Sequence, residues 1–376
     1  MFIGVPRETH RLEHRVGLSP YAVARLTHYG HTVVVEKGAG LEAMFSDSEF
    51  EKAGAQIVYS SEEAYKRADI VCRVGLLSSD ELDLLKRGLI ICAFHHLAVA
   101  TRRNVEHLME LKSTIIGYEI IQDRQGEHPI LAPMSEMAGQ MAVHLAARYL
   151  QNDMGGRGIL LGNVPGVAPP TVLILGAGSV GCSAARQALA SGAHVIVVDE
   201  DLTALRTVSR EFSGQVVTAV AGMAQLERFT AIADVVIGAV LIPGAPAPIL
   251  VTEDMVKAMK PGSVILDLSI DQGGCVATSR PTTLDDPTFI VHDVVHYCVP
   301  NMTANIARTA SRALANAVLP TLKEVLRKGL RDALRDDPGL AAGVYLYEGQ
   351  MVNEKVGATL GIPATPLQQL LDGSEA

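Results

Sequence analysis

The amino-acid sequence predicts an α/β protein built from two doubly wound, mainly parallel sheets, each in its own domain. The chain has 376 residues, which exceeds the roughly 100 to 200 residues of one typical domain. Hydrophobic residues make up 48% of it and charged residues 19%, a balance typical of a well-packed globular protein. Short β-branched runs alternate with helix-like segments, which is the pattern of parallel strands joined by crossover helices.

The predicted strands form two series. The first lies in the amino-terminal part of the chain, at residues 2–5, 32–35, 70–72, 89–93 and 114–118. The second lies at residues 172–175, 195–198, 216–220, 235–240, 264–268 and 289–291. Between them, a helical apolar spacing at 133–151 and a Gly/Pro-rich stretch at 155–170 predict a bridge between domains. After Asn301 the pattern is helical to about residue 334; we expect Pro320 to kink or break this helix, and the tail to return to the first domain.

Charge and composition argue against several classes of function. The formal net charge is −9, whereas proteins that bind nucleic acid or anionic membranes need clustered Lys and Arg. The sequence shows no run of about 20 apolar residues and no secretory signal at its start. Its five cysteines are widely spaced, and CxxC and HExxH motifs are absent. We therefore expect buried thiols, no metal site, no membrane or nucleic-acid partner, and a cytoplasmic location.

A glycine-rich motif follows the first strand of the second series. Gly176, Gly178 and Gly181 fit the pattern GxGxxG, with Ser179 and Val180 before the last glycine, and a helix of small residues follows. In such a loop the first glycine permits the tight turn and the second lets the backbone approach a pyrophosphate. The third lets the helix pack close to the strand. Because the start of a helix offers unpaired N–H groups to phosphate, these positions predict a dinucleotide-binding loop.

The strand after this helix ends at Asp199. A carboxylate at that position binds the ribose hydroxyls of a dinucleotide and repels a 2′-phosphate, so the sequence predicts NAD rather than NADP. The alternative is a tight turn with an acidic strand end and no ligand.

Long segments outside the glycine loop resemble the alanine dehydrogenase family, which also includes the NAD-binding subunit of proton-translocating transhydrogenase. They span nearly the whole chain: IGVPRE at 3–8, HRVGLSP at 14–20, LAPMSEMAGQMA at 131–142, GILLGNVPGV at 158–167, AVLIPGA at 239–245, MVKAMKPGSVILDLSIDQGG at 255–274 and HYCVPNM at 296–302. The resemblance implies two Rossmann-like domains. An NAD-binding domain, 134–303, would be inserted into a discontinuous substrate domain formed by 1–133 and by C-terminal helices in 304–376.

The resemblance also implies roles for individual residues. Arg15 matches the arginine that binds the substrate carboxylate, a role that suits a planar, permanently charged group. His96 matches the catalytic histidine, which acts as acid or base, and its neighbour His95 is expected to be structural. Asp271 matches the catalytic aspartate that activates water, although an aspartate that only accepts turn N–H groups is the alternative.

Further positions match family segments that contact NAD or line the cleft. They are Ser135, Val240, Leu241, Ile270, Arg280, Asn301 and Met302. For Val240, Leu241 and Ile270 the expected contacts are mainly through the backbone, and packing in the core accounts for their side chains equally well.

The sequence departs from the family pattern in the predicted substrate site. Where the family strand KVKEP carries a substrate-binding lysine, this chain has Gly75. Arg73 lies two residues earlier and shares its strand face, so Arg73 is a candidate replacement. Alternatively, the space at Gly75 admits a larger substrate side chain. Residues 303–305 also differ from the family, and Ala204 and Ala221 replace a lysine and a serine near the cofactor.

The leading hypothesis is an NAD-dependent dehydrogenase that converts an L-amino acid, with alanine and pyruvate as the leading pair, to a 2-oxo acid and ammonia, and catalyses the reverse reductive amination. The alternatives are the same reaction on a different or larger amino acid, a non-catalytic NAD-binding protein, and a transhydrogenase-like subunit. Small molecules are the expected partners. The resemblance implies a homo-oligomer, commonly a hexamer, and the apolar helix 304–319 is a candidate for part of its interface.

Overall fold

The computed structural model describes residues 1–241 and 246–373. The end of the family segment at 239–245, from Ile242, and the last three residues of the predicted C-terminal tail lie outside the described residues. The chain divides into two compact units, one formed by Met1–Met134 with Ala304–Ala376 and the other by Ser135–Thr303. Each unit contains one mainly parallel sheet, so the predicted α/β fold class is confirmed.

The strands follow one another along the chain in this order: β1 (Phe2–Val5), β2 (Thr32–Glu36), β3 (Gln56–Val58), β4 (Ile70–Cys72), β5 (Ile90–Ala93), β6 (Thr114–Gly117), β7 (Thr171–Leu175), β8 (His194–Asp199), β9 (Val217–Val220), β10 (Val235–Gly238), β11 (Val264–Asp267), β12 (Thr288–Val291), β13 (Val294–Tyr297), β14 (Val344–Tyr347) and β15 (Gln350–Met351).

The α-helices are α1 (Pro20–His28), α2 (Asp47–Lys52), α3 (Ser61–Arg67), α4 (Ser79–Leu82), α5 (Arg102–Glu110), α6 (Ala132–Tyr149), α7 (Ser179–Ala190), α8 (Leu202–Glu211), α9 (Met223–Ile232), α10 (Glu253–Lys257), α11 (Ala307–Lys328), α12 (Leu330–Asp336), α13 (Pro338–Ala342), α14 (Glu354–Leu360) and α15 (Leu367–Asp372). Short 3-10 turns lie at Leu97–Val99, Asn152–Met154, Leu268–Gln272 and Met302–Ile306. No helix of the described residues is long and apolar enough to cross a membrane.

The sheet of the first unit has the strand order β15-β14-β6-β5-β4-β1-β2-β3. The strands from β1 to β6 are parallel, so their carboxyl ends share one edge of the sheet. The tail adds β14, antiparallel to β6, and β15 beyond it. The tail groups with the first unit, and besides helices it contributes these two strands to the sheet.

The sheet of the second unit has the strand order β12-β13-β11-β10-β7-β8-β9, and all its pairs are parallel except β12 with β13. The chain moves from β7 outward to β8 and β9, and then crosses to β10 on the other side of β7. This reversal creates a topological switch point between β7 and β10. Ligands of open α/β sheets bind at such a point, outside the carboxyl ends of the strands.

Both faces of the centre of this second sheet are covered, which explains why β7, β10 and β11 are nearly continuous apolar runs. In β7, Val172 and Ile174 pack into one hydrophobic core, whereas Leu173 and Leu175 pack into another. Successive side chains of a strand point to opposite faces, so both cores depend on the same short segment.

Helix α11 is not broken at Pro320, one of the two outcomes expected there. It is continuous from Ala307 to Lys328 with Pro320 inside it, and the chain leaves the helix only at Gly329, where φ is 83°. Proline lacks an N–H group and so removes one hydrogen bond of the helix. Pro320 is on the exposed side, while ten residues of α11 are buried, and we infer that this packing maintains the helix across the proline.

Candidate active site

Arg15 lies in the first unit and is held rigidly by its neighbour Glu13. The Arg15 side chain is 5% exposed, and it forms a two-pronged ion pair with Glu13, with Nε 2.7 Å from Oε1 and Nη2 2.6 Å from Oε2. Gly17 brings this segment against the backbone of Cys72 and Arg73, because a Cβ atom at Gly17 would overlap the Cys72 carbonyl. The segment is therefore packed against the loop that follows β4.

The two histidines that follow β5, His95 and His96, differ in burial. The His95 ring is fully buried, and its Nε2 donates to the Ile91 carbonyl at 3.2 Å. Burial lowers the pKa of His95 to about 4, so this ring is neutral at physiological pH. The His96 side chain is 60% exposed and stacks on Phe94. His96 has a φ of 44°, in the left-handed region that non-glycine residues adopt uncommonly.

Glu119 fixes the backbone of His95 and His96. Its carboxylate accepts hydrogen bonds from His96 N at 2.6 Å and His95 N at 3.3 Å, and from the Tyr345 hydroxyl at 2.8 Å. The sequence did not single out Glu119, although an acid just after a buried strand is a usable signal. The predicted base His96 is therefore exposed on a backbone that a buried carboxylate fixes.

Arg73 is placed differently from the sequence prediction. Its side chain is 1% exposed, and it donates to Glu81 at 2.6 Å, to Glu8 at 2.9 Å and to the Tyr65 hydroxyl at 2.8 Å. The geometry contradicts a direct substrate contact by Arg73, because a swing toward Gly75 would break two buried ion pairs. Arg73 instead supports the loop after β4.

Glu8 is the residue that borders the space at Gly75. Its carboxylate accepts hydrogen bonds from Val74 N at 2.6 Å and Gly75 N at 3.3 Å. Burial raises the pKa of Glu8, and the charge of Arg73 opposes this shift. Among the described residues other than the two adjacent in the chain, a Cβ atom at Gly75 would meet only Glu8 Oε2 within 4 Å, at 3.7 Å, and the φ of Gly75 is not left-handed. The position therefore has room for a side chain, and the missing lysine is not excluded by the backbone.

In the second unit, each glycine of the predicted loop has a separate steric reason. Gly176 has a φ of 110°, and a Cβ there would lie 2.5 Å from the Ala239 carbonyl oxygen across the switch point. A Cβ at Gly181 would overlap the Gly176 carbonyl. Gly178 is the N-cap of α7, and among the described residues other than its chain neighbours no atom lies within 4 Å of a Cβ position. The loop is thus closed at Gly176 and Gly181 and open at Gly178, where a pyrophosphate needs space.

Asp199 ends β8 and faces this loop. Its Oδ2 accepts a hydrogen bond from Ala177 N at 2.6 Å, and its Oδ1 accepts one from Asp201 N at 2.8 Å. The carboxylate is therefore oriented by one backbone N–H of the glycine loop and one from the turn that follows β8.

The other predicted cofactor residues of this unit follow the carboxyl ends of neighbouring strands. Val240 and Leu241 follow β10, Ile270 follows β11, and Asn301 and Met302 follow β13. Leu241 and Asn301 are exposed, whereas Ile270 and Met302 are buried. The Val240 N–H donates to the Ser269 hydroxyl at 3.0 Å. These segments form one edge of the sheet around the switch point.

Asp271, Arg280 and Ser135 complete the predicted set. Asp271 is exposed in the 3-10 turn after β11. Arg280 lies over the Phe289 ring, 4.4 Å from its centroid. Ser135 is in α6, and this helix packs on the start of α7, since a Cβ at Gly139 would overlap the Val180 carbonyl. Among the described residues, no group of three or more His, Cys, Asp or Glu could hold a metal ion.

A doubly wound sheet with a glycine loop at its switch point and an acid at the end of the next strand defines a Rossmann-type dinucleotide-binding protein. Comparison with known proteins narrows this class. The family models described as "Alanine dehydrogenase/PNT, N-terminal domain" and "Alanine dehydrogenase/PNT, C-terminal domain" match residues 4–138 and 142–354. The chain belongs to the alanine dehydrogenase/PNT family, which confirms the resemblance seen in the sequence.

Individual relatives agree with this assignment. An alanine dehydrogenase of Mycolicibacterium smegmatis is 42% identical over 99% of this chain and 100% of its own length. One of Mycobacterium tuberculosis is 44% identical over 97% of this chain and 98% of its own length. Among solved structures, an L-alanine dehydrogenase matches with a TM-score of 0.92 at 42% identity, covering 96% of this chain and 99% of its own. A transhydrogenase from Sinorhizobium meliloti matches with a TM-score of 0.82 at 26% identity, covering 94% and 99%.

Proposed function

We propose that the chain is an NAD-dependent amino-acid dehydrogenase that converts L-alanine to pyruvate and ammonia, and catalyses the reverse reductive amination. The observation that carries the proposal is the glycine loop, closed at Gly176 and Gly181 and open at Gly178, in a chain whose relatives are alanine dehydrogenases. The unit with this loop would bind NAD. The unit formed by 1–134 and 304–376 would bind the substrate.

Three side chains have separate roles in the proposed reaction. Arg15 binds the substrate carboxylate, and its pairing with Glu13 holds the guanidinium in one orientation. His96 accepts a proton from the amine while the Cα–H bond breaks. Asp271 orients the water that adds to the imine before ammonia leaves. Bound NAD supplies the acceptor for the hydride from Cα.

We propose NAD rather than NADP because of Asp199. A 2′-phosphate beside this carboxylate would place two like charges together, whereas ribose hydroxyls can donate to it. We expect wild-type protein to prefer NAD, and Asp199→Ala to lose much of that preference in kcat/KM measured with both cofactors. A wild-type preference for NADP would contradict this assignment.

Because Gly75 replaces the family's substrate-binding lysine, the size of the substrate side chain is the part of the proposal with the least support. A hydrogen bond to a charged group contributes about 1.5–3 kcal/mol, so the missing lysine weakens binding of a small 2-oxo acid without abolishing it. The free space instead favours a larger amino acid as the second candidate. The test is the rate of NADH oxidation with ammonia across pyruvate, 2-oxobutyrate and 2-oxovalerate, in wild type, Gly75→Lys and the control Gly75→Ala.

The panel separates the candidates. A preference for pyruvate supports alanine, and a preference for 2-oxovalerate that Gly75→Lys reverses supports a larger substrate. If no acid is turned over and Gly75→Lys restores nothing, while calorimetry still detects NAD binding, the chain is a non-catalytic NAD-binding protein.

We also propose a cytoplasmic homo-oligomer. The five cysteines are unpaired and four of them are buried, which suits a reducing compartment. The oligomer, with a hexamer as the expected state, follows from the family resemblance. Light scattering coupled to size-exclusion chromatography would measure the mass, and a monomer at micromolar concentration would contradict it.

A further inference from the structure

The short connection that carries His95 and His96 is bound to a single carboxylate. Their consecutive backbone N–H groups donate to the two oxygens of Glu119, at 3.3 Å and 2.6 Å. Consecutive N–H groups that converge on one anion form a backbone nest, which fixes the peptide units in between. Glu119 follows β6, which pairs with the strand β5 that leads into this connection. The left-handed backbone of His96 is thus stabilised from the neighbouring strand.

The C-terminal tail binds the same carboxylate. Tyr345, in β14, donates its hydroxyl to Glu119 Oε1 at 2.8 Å. Gly117 in β6 permits this approach, because a Cβ at Gly117 would overlap the Tyr345 ring. Burial, together with the nearby charge of Glu119, raises the pKa of Tyr345, so its hydroxyl remains a donor over the working pH range.

The imidazole of His96 lies close to the Glu119 carboxylate but does not form a hydrogen bond with it. Its Nδ1 is 3.9 Å from Glu119 Oε1, which is beyond hydrogen-bond distance, and the side chain is 60% exposed. One ring face stacks on Phe94. A shift of Glu119 would therefore move the backbone of His96 and the ring together.

We propose that Glu119 and Tyr345 are positioning residues for His96, so that the C-terminal strand β14 sets the geometry of the catalytic base. The inference rests on the proposed function, because it takes His96 as the acid–base group. It assigns to the tail a role beyond completing the sheet, and it names the hydroxyl of Tyr345 as the atom through which the tail acts.

The matched test is a pair of hydroxyl deletions in one strand. Tyr345→Phe removes the donor to Glu119. Tyr347→Phe removes a hydroxyl from the same strand that has no hydrogen-bond partner among the described residues, at a buried position. Since a displacement of about 1 Å can cost up to about a hundredfold in rate, we expect kcat to fall about tenfold in Tyr345→Phe. The KM for the amino acid and the Kd for NAD should change little, and Tyr347→Phe should retain wild-type kcat.

A second series tests the carboxylate itself. Glu119→Gln keeps one acceptor oxygen for the backbone nest, whereas Glu119→Ala keeps none. We expect kcat to decrease in the order wild type, Glu119→Gln, Glu119→Ala. In crystal structures of the variants, His96 should leave its φ near 44° as the contacts are lost. Thermal unfolding of each variant shows whether the fold is retained.

The outcomes separate this inference from the proposed function. If wild-type protein turns over no amino acid, the proposed function fails, and the crystal structure of Tyr345→Phe then decides whether the tail positions the His96 loop. An unchanged loop overturns the inference. With active wild type, equal kcat values for Tyr345→Phe and Tyr347→Phe overturn it, as do losses confined to the melting temperature.

Discussion

At the scale of single residues, Arg73 is the charge whose removal should cost most stability. It is buried between Glu8 and Glu81. Burial acts to raise the pKa of Glu81, but the charge and hydrogen bond of Arg73, together with hydrogen bonds from the Ser78 backbone and Tyr65, lower it. Arg73→Met would leave two buried carboxylates without their cation. We expect the free energy of unfolding in urea to fall by about 3–5 kcal/mol at pH 7.

The surface pair of Arg67 and Glu63 provides the control for Arg73. It links two partly exposed side chains on α3, so Arg67→Met should cost less than about 1 kcal/mol. If the free energy of unfolding falls equally in Arg73→Met and Arg67→Met, the buried ion pairs contribute no more to stability than the surface pair.

His95 predicts a specific dependence of stability on pH. Its pKa is lowered by burial from 6.5 to about 4, so between these values the unfolded chain binds a proton that the native protein does not. Its contribution is complete above pH 6.5 and is lost as the pH falls toward 4. At about 1.4 kcal/mol per pH unit, the loss amounts to about 3 kcal/mol.

Urea unfolding at several pH values between 7 and 4 measures this effect. His95→Gln should flatten the decline relative to wild type, and His194→Gln, at an exposed position, is the control for removing a histidine. A decline in His95→Gln as steep as in wild type would contradict the assignment.

Residue roles could be predicted only where a motif carried them. The glycine loop and Asp199 follow from spacing, and Arg15 and His96 follow from matched segments. The partners Glu8 and Glu119 were not identified, because each acts on residues more than twenty positions away along the chain; for Glu119, only its place just after a buried strand was a signal. The position of the Arg73 side chain was missed for the same reason. Its strand face was predictable, but the two carboxylates that bind it, Glu8 and Glu81, were not.

At the scale of elements, two glycines of the loop between β7 and α7 should have different roles, one in NAD binding and the other in stability. Gly178→Val places a side chain where no described residue beyond the chain neighbours lies within 4 Å, but valine is a poorer N-cap than glycine, so we expect the free energy of unfolding to fall by no more than about 1 kcal/mol, with NAD binding weakened at least about tenfold. Gly181→Ala pushes a methyl group into the Gly176 carbonyl and should cost roughly 1–3 kcal/mol of stability. Urea unfolding and calorimetry with NAD measure the two effects. A loss of stability in Gly178→Val larger than that in Gly181→Ala would contradict the conclusion that the loop is open at Gly178.

Four strands were missed: β3, β13, β14 and β15. β13 and β14 lie inside their sheets, whereas β3 and β15 lie at the two edges of theirs and have only three and two residues. Such strands form because a neighbouring strand offers unpaired backbone groups, not because their own pattern is strong. Central strands such as β7, with continuous apolar runs buried on both faces, were predictable to within one or two residues.

At the scale of the whole molecule, the chain contains two units, each with its own sheet, and the proposal assigns one ligand to each. This division predicts where ligands slow amide hydrogen exchange in the full-length protein. NAD should protect the segment around 176–181 and the end of β8, because its phosphates contact backbone N–H groups there. Pyruvate should protect the segments around Arg15 and His96.

Gly178→Val provides the internal control for this experiment, because it should lose the protection by NAD and retain the protection by pyruvate. Exchange measured by mass spectrometry resolves both segments in one sample. Equal slowing by NAD across both units in wild type would show that binding acts on overall stability rather than on the loop. Protection by pyruvate that appears only around 176–181 would place the substrate in the other unit and would contradict the roles proposed for Arg15 and His96.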